Sequence, residues 1–272
     1  MIMKLLALDM DGTCLNSFSK ITDTTMDALR LARTSGLELV PTTGRALSCL
    51  PHQLRHTGLF RYVISSNGAD AVDLEEHKTL FQSLMPADTA IAVIEACQSP
   101  DVKMAAHVRH EYLLQGMVLP LFGRMIYGQD AAQAKAVPNL AGSIRAMRSD
   151  VEELQFFFLT KKARERTRHI VSGFPDLSLA CTSYYAEIYS ANATKGTALS
   201  AVADHLSISK EETACIGDGE NDIPLFQAAG LRFAMGNAVP ELKAMADYVV
   251  SPNNQDGAAE AVRFLLSRMA GL

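Results

Sequence analysis

The chain has 272 residues, a formal net charge of −5 and charged residues amounting to 20% of the total. That length supports a large core and predicts two domains rather than one, while the acidic balance offers no basic surface for nucleic acid. Five cysteines, at 14, 49, 97, 181 and 215, are scattered and odd in number, with no CxxC pair. They exclude a disulfide framework or zinc cluster and suit a reducing compartment. The N-terminal apolar run is too short for a signal peptide and is broken by Asp9. No stretch approaches the roughly eighteen apolar residues that span a bilayer, so the expected location is the cytoplasm, with no membrane partner.

In chain order, apolar runs alternate with helical patterns, as in βαβ units around a parallel sheet. A strand is predicted over 3–9. A helix follows over 22–35, with Met26, Leu29 and Ala32 on one face and Gly36 as its stop. Strand 37–42, a helix over 46–57 and strand 62–66 come next, the last closed by the turn signal Asn67-Gly68. Two short runs, 69–73 and 79–84, read as a hairpin. The middle differs in texture: a helix over 88–97, short mixed segments with glycines and prolines, strand 154–160, a basic helix over 161–172 and strand 177–182. From Lys195 the βα rhythm returns, with helix 195–206, strand 213–217, helix 221–229, strands 231–235 and 247–250, and helix 256–270. The expected fold is α/β: a Rossmann-like parallel-sheet core formed by residues 1–84 and 189–272, with an inserted α/β cap domain at 85–188.

Four clusters carry chemistry in the core halves. Asp9 and Asp11 follow the apolar run Leu5–Leu8, at the C-terminal strand edge where open α/β sheets bind ligands. Two like charges so close need a cation, a shared proton or a chemical role. Residues two apart on a strand share a face, so both acids face one pocket if the strand continues. A calcium loop is excluded, because Thr13 and Lys20 stand where an EF-hand needs acids. Thr42-Thr43-Gly44-Arg45 offers hydroxyl, amide and guanidinium donors suited to phosphate oxygens, although taken alone that tetrapeptide is better explained by a capping threonine beside an exposed arginine. Lys195 opens a helix against the macrodipole, which suggests an anion nearby. Gly217-Asp218-Gly219-Glu220-Asn221-Asp222 forms an oxygen-rich turn suited to a hard cation.

Together, DMDGT at 9–13, TTGR at 42–45, SNGA at 66–69, TKG at 194–196, GDGEND at 217–222, MGNA at 235–238 and DGAAEAV at 256–262 make the chain resemble the haloacid dehalogenase (HAD) superfamily over essentially its whole length. The resemblance is to the Cof-type group, with a large cap after the third core strand. It implies Asp9 as nucleophile and Asp11 as general acid/base. Thr43, Gly44, Lys195 and Asn221 would bind the phosphoryl group, and Arg45 the substrate. Asp9, Asp218, Asp222 and the backbone carbonyl of Asp11 would make up the Mg²⁺ site. Departures are Cys14 in place of the usual leucine, and Asn192-Ala193 before TKG; neither removes a catalytic group.

The implied activity is Mg²⁺-dependent hydrolysis of small phosphorylated metabolites, sugar phosphates foremost, through an aspartyl-phosphate. The alternatives are a phosphomutase on the same chemistry or a non-catalytic sensor of a phosphorylated ligand. No protein partner is implied. Other features read as structural: His52 and His56 lack the nearby acid of a metalloprotease helix, His107 and His110 fall in the cap, and the basic run 161–169 reads as a solvated helix face.

Overall fold

A computed structural model describes residues 3–54, 57–116, 130 and 133–270. The strands are β1 (Leu5–Asp9), β2 (Glu38–Thr42), β3 (Tyr62–Ser65), β4 (Asp70–Asp73), β5 (Lys78–Gln82), β6 (Val102–Val108), β7 (Glu111–Gln115), β8 (Lys135–Val137), β9 (Glu153–Phe158), β10 (Leu177–Cys181), β11 (Tyr185–Ser190), β12 (Thr213–Gly217), β13 (Leu231–Ala234) and β14 (Tyr248–Val249). They form two sheets, in the orders β14-β13-β12-β1-β2-β3-β4-β5 and β10-β11-β9-β6-β7-β8. The chain divides into two compact units, one of residues 1–44, 53–82 and 194–272, the other of 45–52 and 83–193. The architecture is the expected α/β type, a parallel-sheet core with a second sheet inserted in its sequence.

In the first unit, β14 to β3 run parallel and the hairpin β4–β5 adds an antiparallel edge. Every residue of β1 is buried, as expected of a parallel strand with both sheet faces covered. The helix Asp23–Thr34 starts where the Thr22 hydroxyl accepts a hydrogen bond from Thr25 N–H at 3.1 Å, and it packs against the helix Gly257–Met269. The helix Lys195–His205 begins with a reciprocal Thr194–Thr197 capping box and packs against Ile223–Ala228. Strand order places the C-terminal ends of β1, β2 and β12 side by side, which brings three of the four clusters together.

The predicted helix over 46–57 is corrected. Only a 3₁₀ turn, Leu47–Cys49, forms, because Pro51 drives Leu50 out of the helical region to φ −54°, ψ 146°; residues 55 and 56 lie outside the described set. The predicted helix 221–229 divides into a 3₁₀ turn, Glu220–Asp222, and the helix Ile223–Ala228, with Pro224 in its first turn.

The second unit carries the mainly antiparallel sheet, with β7 and β8 parallel. Its core gathers Ile91, Ile94, Met104, Leu154 and Phe156 against the helices Ala87–Cys97, Leu140–Met147 and Lys161–Val171. Among the described residues, no helix is long and apolar enough to cross a membrane.

Candidate active site

The site lies in the first unit, where β1, β2 and β12 end. Lys195, 1% exposed, sits between two buried carboxylates and donates to Asp9 Oδ1 and Asp222 Oδ1, each at 2.6 Å. The anion expected beside this helix-opening lysine is thus the protein's own acid pair. Asp222 accepts at its other oxygen from the backbone N–H groups of Asp218 (2.9 Å) and Gly219 (3.0 Å), so its carboxylate folds the GDGEND turn around itself. Asp218 accepts from the Thr13 hydroxyl at 3.3 Å and from Asn237 Nδ2 at 3.1 Å; the same Asn237 amide donates to Gly12 O at 2.8 Å. Gly12 has φ +80°, and a Cβ there would run into the Asp218 carboxylate. Only glycine lets the loop after Asp9 pass so close to the second acidic loop.

β1 ends at Asp9, so the alternation expected to keep Asp9 and Asp11 on one face does not extend to Asp11. Asp9 is buried and Asp11 is exposed beyond the strand. Thr43 is buried; its N–H donates to Ile64 O at 3.0 Å and its carbonyl accepts from Asn67 N–H at 3.1 Å. Gly44 lies against the Asn67 side chain, whose Oδ1 accepts from Asn221 Nδ2 at 3.0 Å. Asn67 adopts φ 55°, a left-handed conformation that asparagine tolerates better than most residues.

Arg45 groups with the second unit. Its guanidinium donates to Asp130 Oδ2 at 2.9 Å, while Asp130 Oδ1 accepts from His52 N–H at 2.7 Å and meets His52 Nδ1 at 2.8 Å. The structure therefore brings Asp9, Thr43, Gly44, Lys195, Asp218, Asn221 and Asp222 into one unit, with Asp11 at its surface, and ties Arg45 to a buried acid elsewhere. Thr13, Asn67 and Asn237 join the site without having been assigned roles; the signals that mark them are the DMDGT, SNGA and MGNA segments.

Electrostatically the cluster is short of positive charge. Burial, reinforced by the Asp222 charge and opposed by Lys195, raises the Asp9 carboxyl well above the usual range. Burial and then Asp222 push Asp218 up to about 6. Burial pulls Lys195 down, but the two carboxylates outweigh it and hold the ammonium above the ordinary lysine range. Oxygens of Asp9, Asp218 and Asp222 all lie within 4.8 Å of one another, and Asp9 Oδ2 is buried without a hydrogen-bond partner. Three carboxylates around one ammonium, with one oxygen bare, fit a hard divalent cation.

A family model described as haloacid dehalogenase-like hydrolase matches residues 6–262. The chain belongs to this family. It is 27% identical to a putative phosphatase, YxeH, of Bacillus subtilis (strain 168), over 97% of this chain and 98% of that protein. It is 28% identical to the phosphatase YwpJ of the same organism, over 97% and 100%. Among solved structures it superimposes on a HAD subclass IIB sugar phosphatase, BT4131, with TM-score 0.80 and 25% identity, over 96% of this chain and 98% of that one. The HAD-like chain is accordingly an enzyme of the phosphatase type.

Proposed function

We propose that this HAD-like enzyme is an Mg²⁺-dependent phosphatase that hydrolyses phosphate monoesters of small metabolites through an aspartyl-phosphate on Asp9. The observation that carries the reading is the state of the Asp9 carboxylate. One oxygen is fixed by Lys195 while the other is buried and bare beside Asp218. A structural ion pair has no use for an unsatisfied carboxylate oxygen in a buried position; a nucleophile that takes up a cation and a phosphoryl group does.

Asp9 and Asp218 would hold the cation, with the Asp11 backbone carbonyl as the resemblance implies. Asp222, with both oxygens already engaged by Lys195 and loop amides, would contribute its charge and hold Lys195 in place. When bound, the cation offsets the repulsion between an anionic nucleophile and an anionic ester. Thr43, Lys195 and Asn221 would meet the phosphoryl oxygens, where charge is spread in the transition state. Asp11, exposed just past the strand end, would protonate the leaving alkoxide and then take a proton from the attacking water. Arg45, held by Asp130, is the residue proposed for substrate binding in the second unit.

Sugar phosphates are the first class to try, because the structural relative BT4131 is a sugar phosphatase. Phosphate release should be measured from sugar phosphates, nucleotides and pyridoxal phosphate, with Mg²⁺ and with EDTA. The expected result is release that requires Mg²⁺ and is abolished in Asp9→Asn. Folded, metal-bound protein that releases phosphate from none of them would overturn the proposal.

A further inference from the structure

The most informative unused group is Thr42. It closes β2, is fully buried, and its Oγ1 has no hydrogen-bond partner. In the parallel pairing of β1 and β2 its register partner is Asp9. Registered residues on neighbouring strands project from the same face of the sheet, so the Thr42 side chain stands beside that of Asp9, whose Oδ2 is also buried and unpartnered. Two orphaned polar atoms thus occur at one register position, at the C-terminal edge where the acids gather. Neither bonds to the other.

Folding gives no return for an unpaired buried hydroxyl, which has lost its hydration without gaining a partner. If strand packing were the purpose, the β-branched shape alone would suffice, and valine supplies that shape without a polar atom. We propose that Thr42 is a further phosphoryl-binding residue, its hydroxyl donating to an oxygen of the group that Asp9 attacks. The inference rests on the phosphatase reading and deepens it by adding a donor to Thr43, from the adjacent residue. An anion bound at Asp9 would supply the acceptor that the hydroxyl lacks.

The experiment compares Thr42→Val and Thr42→Ser with the wild type in three readouts: thermal unfolding without ligand, calorimetric binding of inorganic phosphate in the presence of Mg²⁺, and turnover of whichever ester the wild type hydrolyses. Thr42→Val should melt no lower than the wild type, since it removes only an unpaired polar atom, yet bind phosphate at least tenfold more weakly and turn over at least tenfold more slowly. Thr42→Ser should restore phosphate binding to within a few-fold of the wild type. Wild-type phosphate affinity in Thr42→Val overturns the inference, and so does a lower melting temperature in that variant accompanied by unchanged phosphate binding. Because phosphate binding is read separately from turnover, a wild type that hydrolyses nothing would sink the phosphatase reading while leaving the role of Thr42 decided by calorimetry.

Discussion

Lys195 is the residue on which the rest of the site leans. A fully buried ammonium held at 2.6 Å from two carboxylates is stable only as a set, and removing one partner of such a set typically costs about 3–5 kcal/mol. Lys195→Met should therefore lower the melting temperature by several degrees in metal-free buffer. Mg²⁺ should recover part of the loss, because a cation near Asp9 replaces some of the missing charge; differential scanning fluorimetry with and without Mg²⁺ checks both points. Asn237 acts one step further out, orienting Asp218 and tying it to Gly12. Losing such an outer partner usually weakens metal binding by about 10–100-fold. Asn237→Ala should raise the Mg²⁺ concentration for half-maximal activity by roughly that factor while turnover at saturating Mg²⁺ stays near normal. Unchanged Mg²⁺ dependence would remove Asn237 from the site. Asp9, Lys195 and Asp218 were legible as candidates because each is a charged group in a motif at a strand or helix end, and the structure brings them together. Asn237 and Asn67 lie in the MGNA and SNGA segments but were given no role, since the partners of a neutral amide are fixed only once distant segments meet.

At the scale of elements, the segment after Gly44 shows how local rules and long-range contacts divide the work. Hydropathy alone reads residues 46–57 as a helix, but Pro51 limits it to one 3₁₀ turn, and Asp130 then fixes the segment by holding Arg45 and His52 together. The contact spans 85 residues of sequence between Arg45 and Asp130, which no spacing rule anticipates. If Arg45 contacts substrate, Asp130 is its positioning residue. Asp130→Ala should raise KM by roughly tenfold, a loss of about 1.4 kcal/mol of binding, with kcat changed much less. Steady-state kinetics on the best substrate of the panel decides it, and a loss confined to kcat would contradict this account. The core strands were readable for a different reason: β1, β2, β3 and β12 are short apolar runs bounded by turn residues. β6 was not, because Lys103 and His107 interrupt its apolar run without setting up a regular alternation.

For the molecule as a whole, one buried imidazole carries a liability to acid. In the second unit His107 is buried at 2% exposure, and burial pushes it down to about 3, so it is neutral in the folded protein. Its folded value lies below the unfolded one of about 6.5. The contribution to stability is therefore fully present above pH 6.5 and is lost progressively as the pH falls from there towards 3, by up to about 1.4 kcal/mol per pH unit. Urea unfolding at pH 7, 5 and 4 should show the midpoint falling with pH, and His107→Gln should flatten that fall. A variant that keeps the wild-type slope would assign the acid sensitivity to other groups. The proposed nucleophile, Asp9, lies in the first unit, and the central claim concerns a covalent bond on it. The most direct test is rapid acid quenching of the wild type during turnover with Mg²⁺ and its best substrate, followed by peptide mass spectrometry. A phosphoryl group is expected on the peptide carrying Asp9, accumulating further in Asp11→Asn, whose turnover should fall by about 10²-fold or more. Steady turnover with no phosphorylated peptide in either protein, or with the modification on another residue, would contradict it.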